Sequence, residues 1–422
     1  MPATGDGQKV VYCFEDSRVS RLVPAVTARP AYAITCGSFR LIDWLQRLDA
    51  TLIGDCRSHL RTIQSLDYGI NYSREAIQTR SPVLLVNARV VPTVANFRRL
   101  QGLADSSQPA LLLDQEGAIA AAYSPRGLPS DPLAGGGPIE PLIERLVRDL
   151  PPASDAIETF RWPHEIVAQH MRAIGDSLAW RIEHGEYTQT RDGLFVAPGV
   201  TLGDHLVIDS SKGPIVIESQ AKIGPFCYLA GPVHIGRAAR INEHAALKDA
   251  VALGHTTKVG GEVEASVIEP YSNKQHHGFL GHSYLGSWIN LGAGTCNSDL
   301  KNTYGTINME YGTERVATDM QFMGCVMGDY SKTAINTGIF TGKVVGVCSM
   351  LYGFVTSNVP SFVNYARLFG QTETLPPDVM ISTQARMFAR RQVTQRDCDR
   401  QLLIEMFDLT QEERMLQASI GL

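Results

Sequence analysis

The segment that decides the fold is residues 217–259, IESQAKIGPFCYLAGPVHIGRAARINEHAALKDAVALGHTTKV. An aliphatic residue recurs in it at every sixth position, in an unbroken ladder of Ile217, Ile223, Leu229, Ile235, Ile241, Leu247, Leu253 and Val259. An α-helix has a period of 3.6 residues and a plain strand a period of two, so neither alone explains a step of six. A step of this length indicates a parallel β-helix built from short strands and tight turns.

The same ladder continues on both sides of this segment. It begins at Leu202 and Ile208, and it returns downstream at Leu285, Leu291, Met327, Thr333, Ile339, Val345 and Leu351. With three steps to a coil, one aliphatic residue per step points into a triangular prism. Glycine often follows the ladder residue, as in Ile223-Gly224 and Ile235-Gly236, and we expect it there because a tight turn needs special backbone angles.

The ladder has two apparent interruptions, at residues 265–283 and 296–325. We expect loops at both places, and function usually resides where loops leave a rigid scaffold. The first loop contains Lys274, His276, His277 and His282. Histidine is the side chain best suited to accept a proton near neutral pH, so this loop is the first candidate for a catalytic site.

Composition excludes several classes of protein. The 422 residues carry 38 Lys+Arg against 43 Asp+Glu, a net charge of −5, which gives no electrostatic reason to expect nucleic-acid binding. No run of 18 apolar residues and no signal-peptide pattern occurs, so we expect no membrane partner and a cytoplasmic location. The eight cysteines include no CxxC pair, which favours free thiols in a reducing compartment.

The N-terminal part has a different pattern. KVVYCFED and PVLLVNARVV indicate apolar strands, FRLIDWLQRL has helical spacing, and QPALLLDQEGAIAAAY indicates two strands around a turn. Such a mixture predicts an α/β layer structure. We therefore predict an α/β domain at 1–154, a connecting helical segment at 155–188, a β-helix at 189–360 and a helical extension at 361–422, in which we expect one or two helices.

The segment 261–305, GEVEASVIEPYSNKQHHGFLGHSYLGSWINLGAGTCNSDLKNTYG, resembles the acetyltransferase half of GlmU-type bifunctional enzymes. The whole chain is similar to an alternative bacterial branch of that family, described as UDP-N-acetylglucosamine diphosphorylase/glucosamine-1-phosphate N-acetyltransferase. The resemblance implies a left-handed hexapeptide β-helix behind a nucleotidyltransferase-like domain. It also implies N-acetyl transfer to an amino sugar or an amino-sugar 1-phosphate.

The resemblance assigns roles to residues of the two predicted loops. His276 stands at the position of the family's catalytic base, and its neighbour His277 is the second candidate. Asn290, Asn297 and Lys301 stand where contacts to sugar and phosphate are expected. Lys274 is a further candidate, since a sugar 1-phosphate needs compact positive charges.

The cosubstrate implied by the resemblance is acetyl-CoA, which lies in this family in a groove between adjacent subunits. Lys332 and Lys343 are the candidates for its phosphates. A shared groove implies a homotrimer. The main interpretation includes no metal ligands in the β-helix.

Nucleotidyl transfer by the N-terminal domain would require Mg²⁺ and UTP. The Gly-x-Gly-Thr-Arg pattern of sugar nucleotidyltransferases does not occur, and Arg89 stands about where the resemblance implies a metal-binding aspartate. An alternative phosphate site could be formed by Asp16, Arg18, Arg21 and Arg29. The domain is therefore either active with Mg²⁺ and UTP or degenerate.

Two other functions remain open from the sequence. A γ-type carbonic anhydrase uses the same prism, with His277 and His282 as a zinc pair and His244 or His255 as a third ligand. A catalytically silent sugar-nucleotide-binding or scaffold protein would be consistent with a degenerate N-terminal domain.

Overall fold

The computed structural model describes residues 9–77, 80–129, 138–366 and 370–419. The chain forms two compact units. The first comprises Met1–Leu22, Arg29–Thr35 and Phe39–Trp162, and the second comprises Val23–Ala28, Cys36–Ser38 and Pro163–Leu422. Among the described residues, no helix is long and apolar enough to cross a membrane.

The first unit is built on a five-stranded sheet. The five strands of this sheet are β1 Val10–Phe14, β4 Thr51–Asp55, β5 Val83–Asn87, β6 Ala110–Leu113 and β7 Ile119–Ser124. A separate short pair, β2 Thr35–Cys36 and β3 Phe39–Arg40, lies between β1 and β4 in the sequence. The sheet order is β4-β1-β5-β7-β6, with β1 parallel to β4 and β5, and with β7 antiparallel to both of its neighbours. Every residue of β1 and β5 is buried, which explains their continuous apolar sequence.

Among the described residues of this unit, the α-helices beside the sheet are α1 Leu41–Leu45, α2 Arg61–Tyr68, α3 Val94–Ala104 and α4 Glu140–Val147. Short 3-10 helices lie at Ser17–Leu22, Ala31–Ala33, Ser58–Leu60 and Glu75–Ile77. The helix predicted over FRLIDWLQRL is shorter than its pattern indicated. The strands Val83–Asn87 and Ile119–Ser124 pack in one core with Ile143 and Val147 of α4. The α/β expectation for this unit is confirmed.

The second unit begins with the helix α5 His164–His184, followed by the hairpin strand β8 Thr188–Arg191 and a triangular parallel β-helix. Its first face contains β9 Leu194–Val196, β12 Ile215–Ile217, β15 Val233–Ile235, β18 Val251–Leu253, β21 Val267–Ile268, β24 Tyr284–Leu285, β28 Cys325–Met327 and β31 Lys343–Val345. Its second face contains β10 Thr201–Leu202, β13 Lys222–Ile223, β16 Arg240–Ile241, β19 Lys258–Val259, β22 Asn273–Lys274, β29 Lys332–Thr333 and β32 Met350–Leu351. Its third face contains β11 Val207–Asp209, β14 Tyr228–Ala230, β17 Ala246–Lys248, β20 Glu262–Glu264, β23 Phe279–Gly281, β25 Cys296–Asn297, β30 Gly338–Ile339 and β33 Phe354–Val355.

The six-residue ladder forms the core of this prism. All eight residues of the ladder from Ile217 to Val259 belong to one buried cluster, together with Leu285, Leu291, Met327, Ile339, Val345 and Leu351. Stacked coils therefore bury one continuous apolar column, which stabilises a solenoid in place of a globular core. The predicted left-handed β-helix is confirmed.

Glycine in this ladder has a different role from the one predicted. Gly224 and Gly236 follow ladder residues, but the positive φ angles occur two residues later, at Phe226 (59°) and Ala238 (55°). A Cβ atom on Gly224 would lie 2.6 Å from the backbone N of Glu243 in the next coil, and one on Gly236 would lie 2.5 Å from the Leu253 carbonyl oxygen. Glycine is thus needed for the close approach of stacked coils, and the strained turn position is filled by other residues.

One predicted break in the ladder is wrong and the other is confirmed. Residues 265–283 are not a loop, because β21, β22 and β23 continue the three faces in parallel register with the preceding coil. The excursion lies after β25, where the chain leaves the prism, forms the antiparallel hairpin β26 Asn308–Tyr311 and β27 Glu314–Ala317, and returns at β28. We call residues 298–324 the excursion.

The end of the second unit combines strands and helices. The strand β34 Val363–Ala366 pairs with β32, and β35 Gln371–Thr374 pairs antiparallel with β34. Three helices follow, α6 Pro377–Ala389, α7 Asp397–Leu409 and α8 Gln411–Ser419. The expectation of one or two helices after residue 360 was therefore too low, although the helical character of the extension is confirmed.

Candidate active site

The two candidate histidines lie together in a turn between the second and third faces of the β-helix. His276 and His277 follow β22 and precede β23, and both side chains are exposed. Gly294 of the next coil donates its backbone N–H to the His277 carbonyl oxygen at 3.1 Å. A Cβ atom on Gly294, whose φ is +75°, would lie 3.4 Å from His277 Nε2 and 2.1 Å from Asn336 Oδ1. The glycine therefore keeps space open beside the His277 ring.

Lys274 does not join the exposed histidines as a binding residue. It pairs in register with the core residue Val259, so its side chain occupies an inward ladder position and is only 2% exposed. Its Nζ donates to the Gly260 carbonyl at 2.7 Å and to the His276 carbonyl at 3.0 Å. Burial lowers the pKa of Lys274 to about 8. In this arrangement Lys274 anchors the backbone of the histidine turn, and its ammonium group has no access to a phosphate.

An exposed thiol lies beside the histidine turn and was not singled out from the sequence. Cys296 in β25 is exposed and free, and the Phe279 backbone N–H donates to its Sγ at 3.3 Å. A Cβ atom on Gly278, between His277 and Phe279, would lie 3.5 Å from the same Sγ. Alignment of Phe279 with Cys296 on the third face could have identified this thiol from the sequence. The incorrect prediction of a loop at 265–283 removed that alignment.

The two candidate asparagines have different environments. Asn290 is exposed and bridges the second face between Asn273 and Lys332 through its backbone. Asn297 is buried, accepts from the Gly281 N–H at 2.8 Å and donates to the Gly281 carbonyl at 3.0 Å. Asn290 therefore has an exposed side chain, whose Oδ1 accepts from Asn273 Nδ2 at 3.4 Å, whereas Asn297 replaces missing backbone pairing between β23 and β25.

Of the remaining candidate lysines, Lys301 and Lys332 donate to backbone carbonyls of the chain itself. Lys301 Nζ donates to the Thr306 carbonyl at 2.7 Å inside the excursion. Lys332 Nζ donates to the Tyr330 carbonyl at 2.7 Å, and burial lowers its pKa to about 8. Burial also lowers the pKa of Lys343, with Glu310 opposing this effect and Lys301 adding to it. Lys301 and Lys343 therefore lie near each other, apart from Lys332.

His282 forms an ion pair that fixes the start of the excursion. Its Nδ1 lies 2.8 Å from Asp299 Oδ2, and its ring stacks on Phe322 with 5.2 Å between centroids. In the described part of the chain, no group of three or more His, Cys, Asp or Glu side chains could hold a metal ion. The zinc ligand set of the carbonic anhydrase alternative, His277 and His282 with His244 or His255, is therefore not assembled within one chain.

A row of cations lies on the second face of the β-helix. Lys222, Arg240 and Lys258 are in register on three successive coils, and within the described residues none of them forms an ion pair. Burial lowers the pKa of Lys258, and Arg391, Arg240 and Arg390 lower it further. The Arg391 side chain also donates to Asn273, the next residue in register after Lys258. This cation row leads toward the histidine turn and carries uncompensated positive charge.

The candidate charges of the first unit form ion pairs with one another. Arg89 Nη2 lies 2.6 Å from Asp16 Oδ2 and 3.4 Å from Asp114 Oδ2, and all three side chains are buried. Arg18 lies 3.2 Å from Glu116 and 3.9 Å from Asp114, and Arg21 lies 3.4 Å from Glu116. Arg29 is buried. In the alternative phosphate site, Arg18 and Arg21 thus converge on the carboxylate of Glu116, while Asp16 is paired with Arg89.

Comparison with known proteins agrees with these features. Residues 11–184 match the family described as "Sugar nucleotidyl transferase". The bifunctional protein GlmU of Ralstonia pickettii is 34% identical over 116 residues, which cover 26% of this chain and 24% of GlmU. A bifunctional sugar-1-phosphate nucleotidylyltransferase/acetyltransferase of Sulfurisphaera tokodaii is 29% identical over 143 residues, covering 33% of this chain and 36% of the relative. The predicted resemblance to the GlmU-like family is confirmed.

The matched regions span about a quarter to a third of the length of these curated relatives. Among solved structures, the UDP-N-acetylglucosamine acyltransferase of Francisella novicida aligns with a TM-score of 0.35 and 16% identity, covering 48% of this chain and 71% of that one.

Proposed function

We propose that this chain is an acetyl-CoA-dependent N-acetyltransferase acting on an amino sugar or an amino-sugar 1-phosphate, with nucleotidyl transfer by the N-terminal unit as a second activity. The observation that carries the proposal is the exposed His276–His277 turn on a β-helix in a GlmU-like chain. One relative, from Sulfurisphaera tokodaii, is named as a nucleotidylyltransferase/acetyltransferase, and a β-helix by itself would not identify the chemistry.

The reaction needs a base and a stabilised oxyanion. The sugar amine attacks the thioester carbonyl, its proton passes to the base, and the carbon–sulfur bond breaks to release the CoA thiolate, which is protonated. His276 is the first candidate for the base and His277 the second, since both are exposed within one turn. Lys274 supports this role by holding the His276 carbonyl at 3.0 Å.

Positive charge for a phosphate-bearing substrate is best supplied by the cation row. Of the lysines considered from the sequence, Lys274, Lys301 and Lys332 each donate to a backbone carbonyl. Lys258 and Arg240 form no ion pair in the described part of the chain, and Lys258 is one coil from the strand that precedes His276. Asn290, exposed on the same face, is the candidate for a contact to the sugar. A homotrimer with acetyl-CoA held between subunits remains part of the proposal.

The experiment is a measurement of thiol release from acetyl-CoA with a panel of amino sugars and their 1-phosphates, with and without UTP and magnesium. We expect release with at least one amino sugar, and a strong loss of release in His276→Ala, or in His277→Ala if that residue is the base. His205→Ala is the matched control, because it removes an exposed histidine from the same corner of the β-helix, four coils before the histidine turn. Absence of turnover with every sugar, or equal turnover in wild type and both turn variants, would favour a binding or scaffold protein.

A further inference from the structure

The carboxyl-terminal edge of the sheet in the first unit contains a closed set of charged side chains. Asp16 follows β1, Arg89 follows β5 and Asp114 follows β6, all at the edge where ligands of open α/β sheets bind. Two carboxylates that converge at this edge would ordinarily suit a divalent cation, since Mg²⁺ prefers carboxylate oxygens. Whether they can hold one depends on which of their oxygens are free.

Both oxygens of Asp16 are engaged. Its Oδ1 accepts from Arg89 Nε at 2.7 Å. Its Oδ2 accepts from Arg89 Nη2 at 2.6 Å and from Asn87 Nδ2 at 2.8 Å. The guanidinium therefore binds this carboxylate through two parallel hydrogen bonds, the strongest geometry available to the pair.

The oxygens of Asp114 are engaged as well. Its Oδ1 accepts from the backbone N–H groups of Glu116 and Ala118 at 2.9 and 2.8 Å. Its Oδ2 accepts from Thr159 Oγ1 at 2.8 Å and from Arg89 Nη2 at 3.4 Å. Arg89, which is 0% exposed, uses its remaining Nη1 on Thr159 and on the Phe160 carbonyl at 2.7 Å. A metal ion could enter only by displacing a buried guanidinium.

We propose that Arg89 takes the place of a divalent cation between Asp16 and Asp114, so that these two carboxylates ligate no metal ion and the Mg²⁺ of any nucleotidyl transfer must arrive bound to the nucleotide. The side-chain charges favour the pairing from both sides, because two converging buried carboxylates need a cation and a buried guanidinium needs carboxylates. The inference concerns the first unit alone and does not depend on acetyl transfer by the second.

The test is a titration of MnCl₂ alone into full-length protein, with free Mn²⁺ followed by electron paramagnetic resonance and unfolding followed by thermal melts. Wild type is compared with Arg89→Ala, which leaves two carboxylates without their cation, and with Asp16→Asn. Arg57→Ala is the matched control, because it removes a guanidinium that lies 2.9 Å from the carboxylate of Glu15 and leaves the Asp16–Arg89–Asp114 group intact.

We expect Mn²⁺ to leave the wild-type and Arg57→Ala melting midpoints unchanged. The melting midpoint of Arg89→Ala should be lower than that of wild type by roughly 5–15 °C, since removal of the guanidinium leaves buried carboxylates without a cation. Mn²⁺ should raise the melting midpoint of Arg89→Ala, with one ion bound per chain. The double variant with Asp16→Asn and Arg89→Ala should show no such rise. A folded Arg89→Ala variant without any Mn²⁺ response would overturn the proposal.

A second comparison decides the matter even if Arg89→Ala fails to fold. Equal Mn²⁺ binding by wild type and Asp16→Asn, at whatever level, supports the proposal, because the Asp16 oxygens then contribute no metal ligand. Binding of one Mn²⁺ per wild-type chain that disappears in Asp16→Asn would overturn it.

Discussion

Lys274 allows a quantitative test, because it is a charged side chain inside an apolar column. The change is Lys274→Met, which keeps a long side chain in the ladder position and removes the ammonium group. Two effects then oppose each other. The variant no longer has to bury a charge, but the carbonyls of Gly260 and His276 lose the donor that now lies 2.7 and 3.0 Å away.

The size of each effect follows from the pKa and the hydrogen bonds. A tenfold change in proton affinity is worth about 1.4 kcal/mol, so a pKa of about 8 in place of 10.5 means that the charged form costs roughly 3 kcal/mol in the folded protein. Each carbonyl left without a donor costs about 1–3 kcal/mol. At pH 7 the two effects largely cancel, and the variant should lie within about 3 kcal/mol of wild type.

The dependence on pH distinguishes this account from a simple loss of packing. Between pH 8 and pH 10.5 the folded wild-type lysine has released its proton while the unfolded lysine still holds one, so the wild-type stability rises with pH. The neutral amine still donates to both carbonyls. The difference in stability between wild type and Lys274→Met should therefore move in favour of wild type by about 2.5 kcal/mol from pH 7 to pH 10.

The assay is urea unfolding of both proteins at pH 7, 8, 9 and 10, followed by far-ultraviolet circular dichroism. Groups common to both proteins, including the buried Lys332, cancel in the difference. Lys222→Met, which removes an exposed lysine from the same face, corrects for the loss of an ordinary lysine. A difference between wild type and Lys274→Met that stays constant from pH 7 to pH 10 would refute the assignment of a buried, destabilised ammonium group.

Three further predictions concern the same unit. Lys258→Gln should raise the KM for a phosphate-bearing substrate roughly fivefold, a loss of about 1 kcal/mol in binding free energy, and the rise should be larger at low salt. Lys212→Gln should leave KM unchanged, because Lys212 already pairs with Asp249 at 2.7 Å, and equal KM values for the two variants in steady-state kinetics would contradict this prediction. Gly236→Ala should lower the melting midpoint, because its Cβ would lie 2.5 Å from the Leu253 carbonyl oxygen, whereas Gly175→Ala in α5, with open space around it, should raise the midpoint slightly. An unchanged melting midpoint in Gly236→Ala would show that adjacent coils can separate to admit the Cβ atom. Asp299→Asn should weaken the 2.8 Å contact with His282 and increase the rate of limited proteolysis within the excursion. Unchanged cleavage rates would indicate that this contact does not hold the excursion in place.

The ladder could be predicted from the sequence because its signal is strictly periodic and aliphatic. The prediction failed between Val259 and Leu285, where the inward residues are Val263, Ile268, Lys274 and Leu280, and the spacing shortens locally to four and five. A lysine at a core position also breaks the apolar pattern, so a continuous coil resembled a loop. The histidines were still found, because their residue type and neighbours carry the resemblance independently of the period.

The other missed features depend on contacts between distant parts of the chain. The requirement for glycine after a ladder residue comes from the backbone of the next coil, roughly 18 residues away, and the sequence offers only the local explanation of a turn. The resemblance places Asn297 where a contact to sugar or phosphate is expected, yet its buried side chain closes a gap in backbone pairing at Gly281. Residue type alone does not distinguish a polar side chain that serves the fold from one that serves a ligand.

The basic residues of this chain show what would make that distinction. Arg89 and Lys274 are both buried and donate to acceptors of their own chain, so neither cation is accessible to an external anion. Lys258 and Arg240 lie beside other cations and form no ion pair in the described part of the chain, and the pKa of Lys258 is lowered by that crowding as well as by burial. Like charges held close together on a rigid face are unfavourable unless an anion binds between them. The cation best suited to a phosphate is therefore one whose charge the fold leaves uncompensated, which is a property of position rather than of residue type.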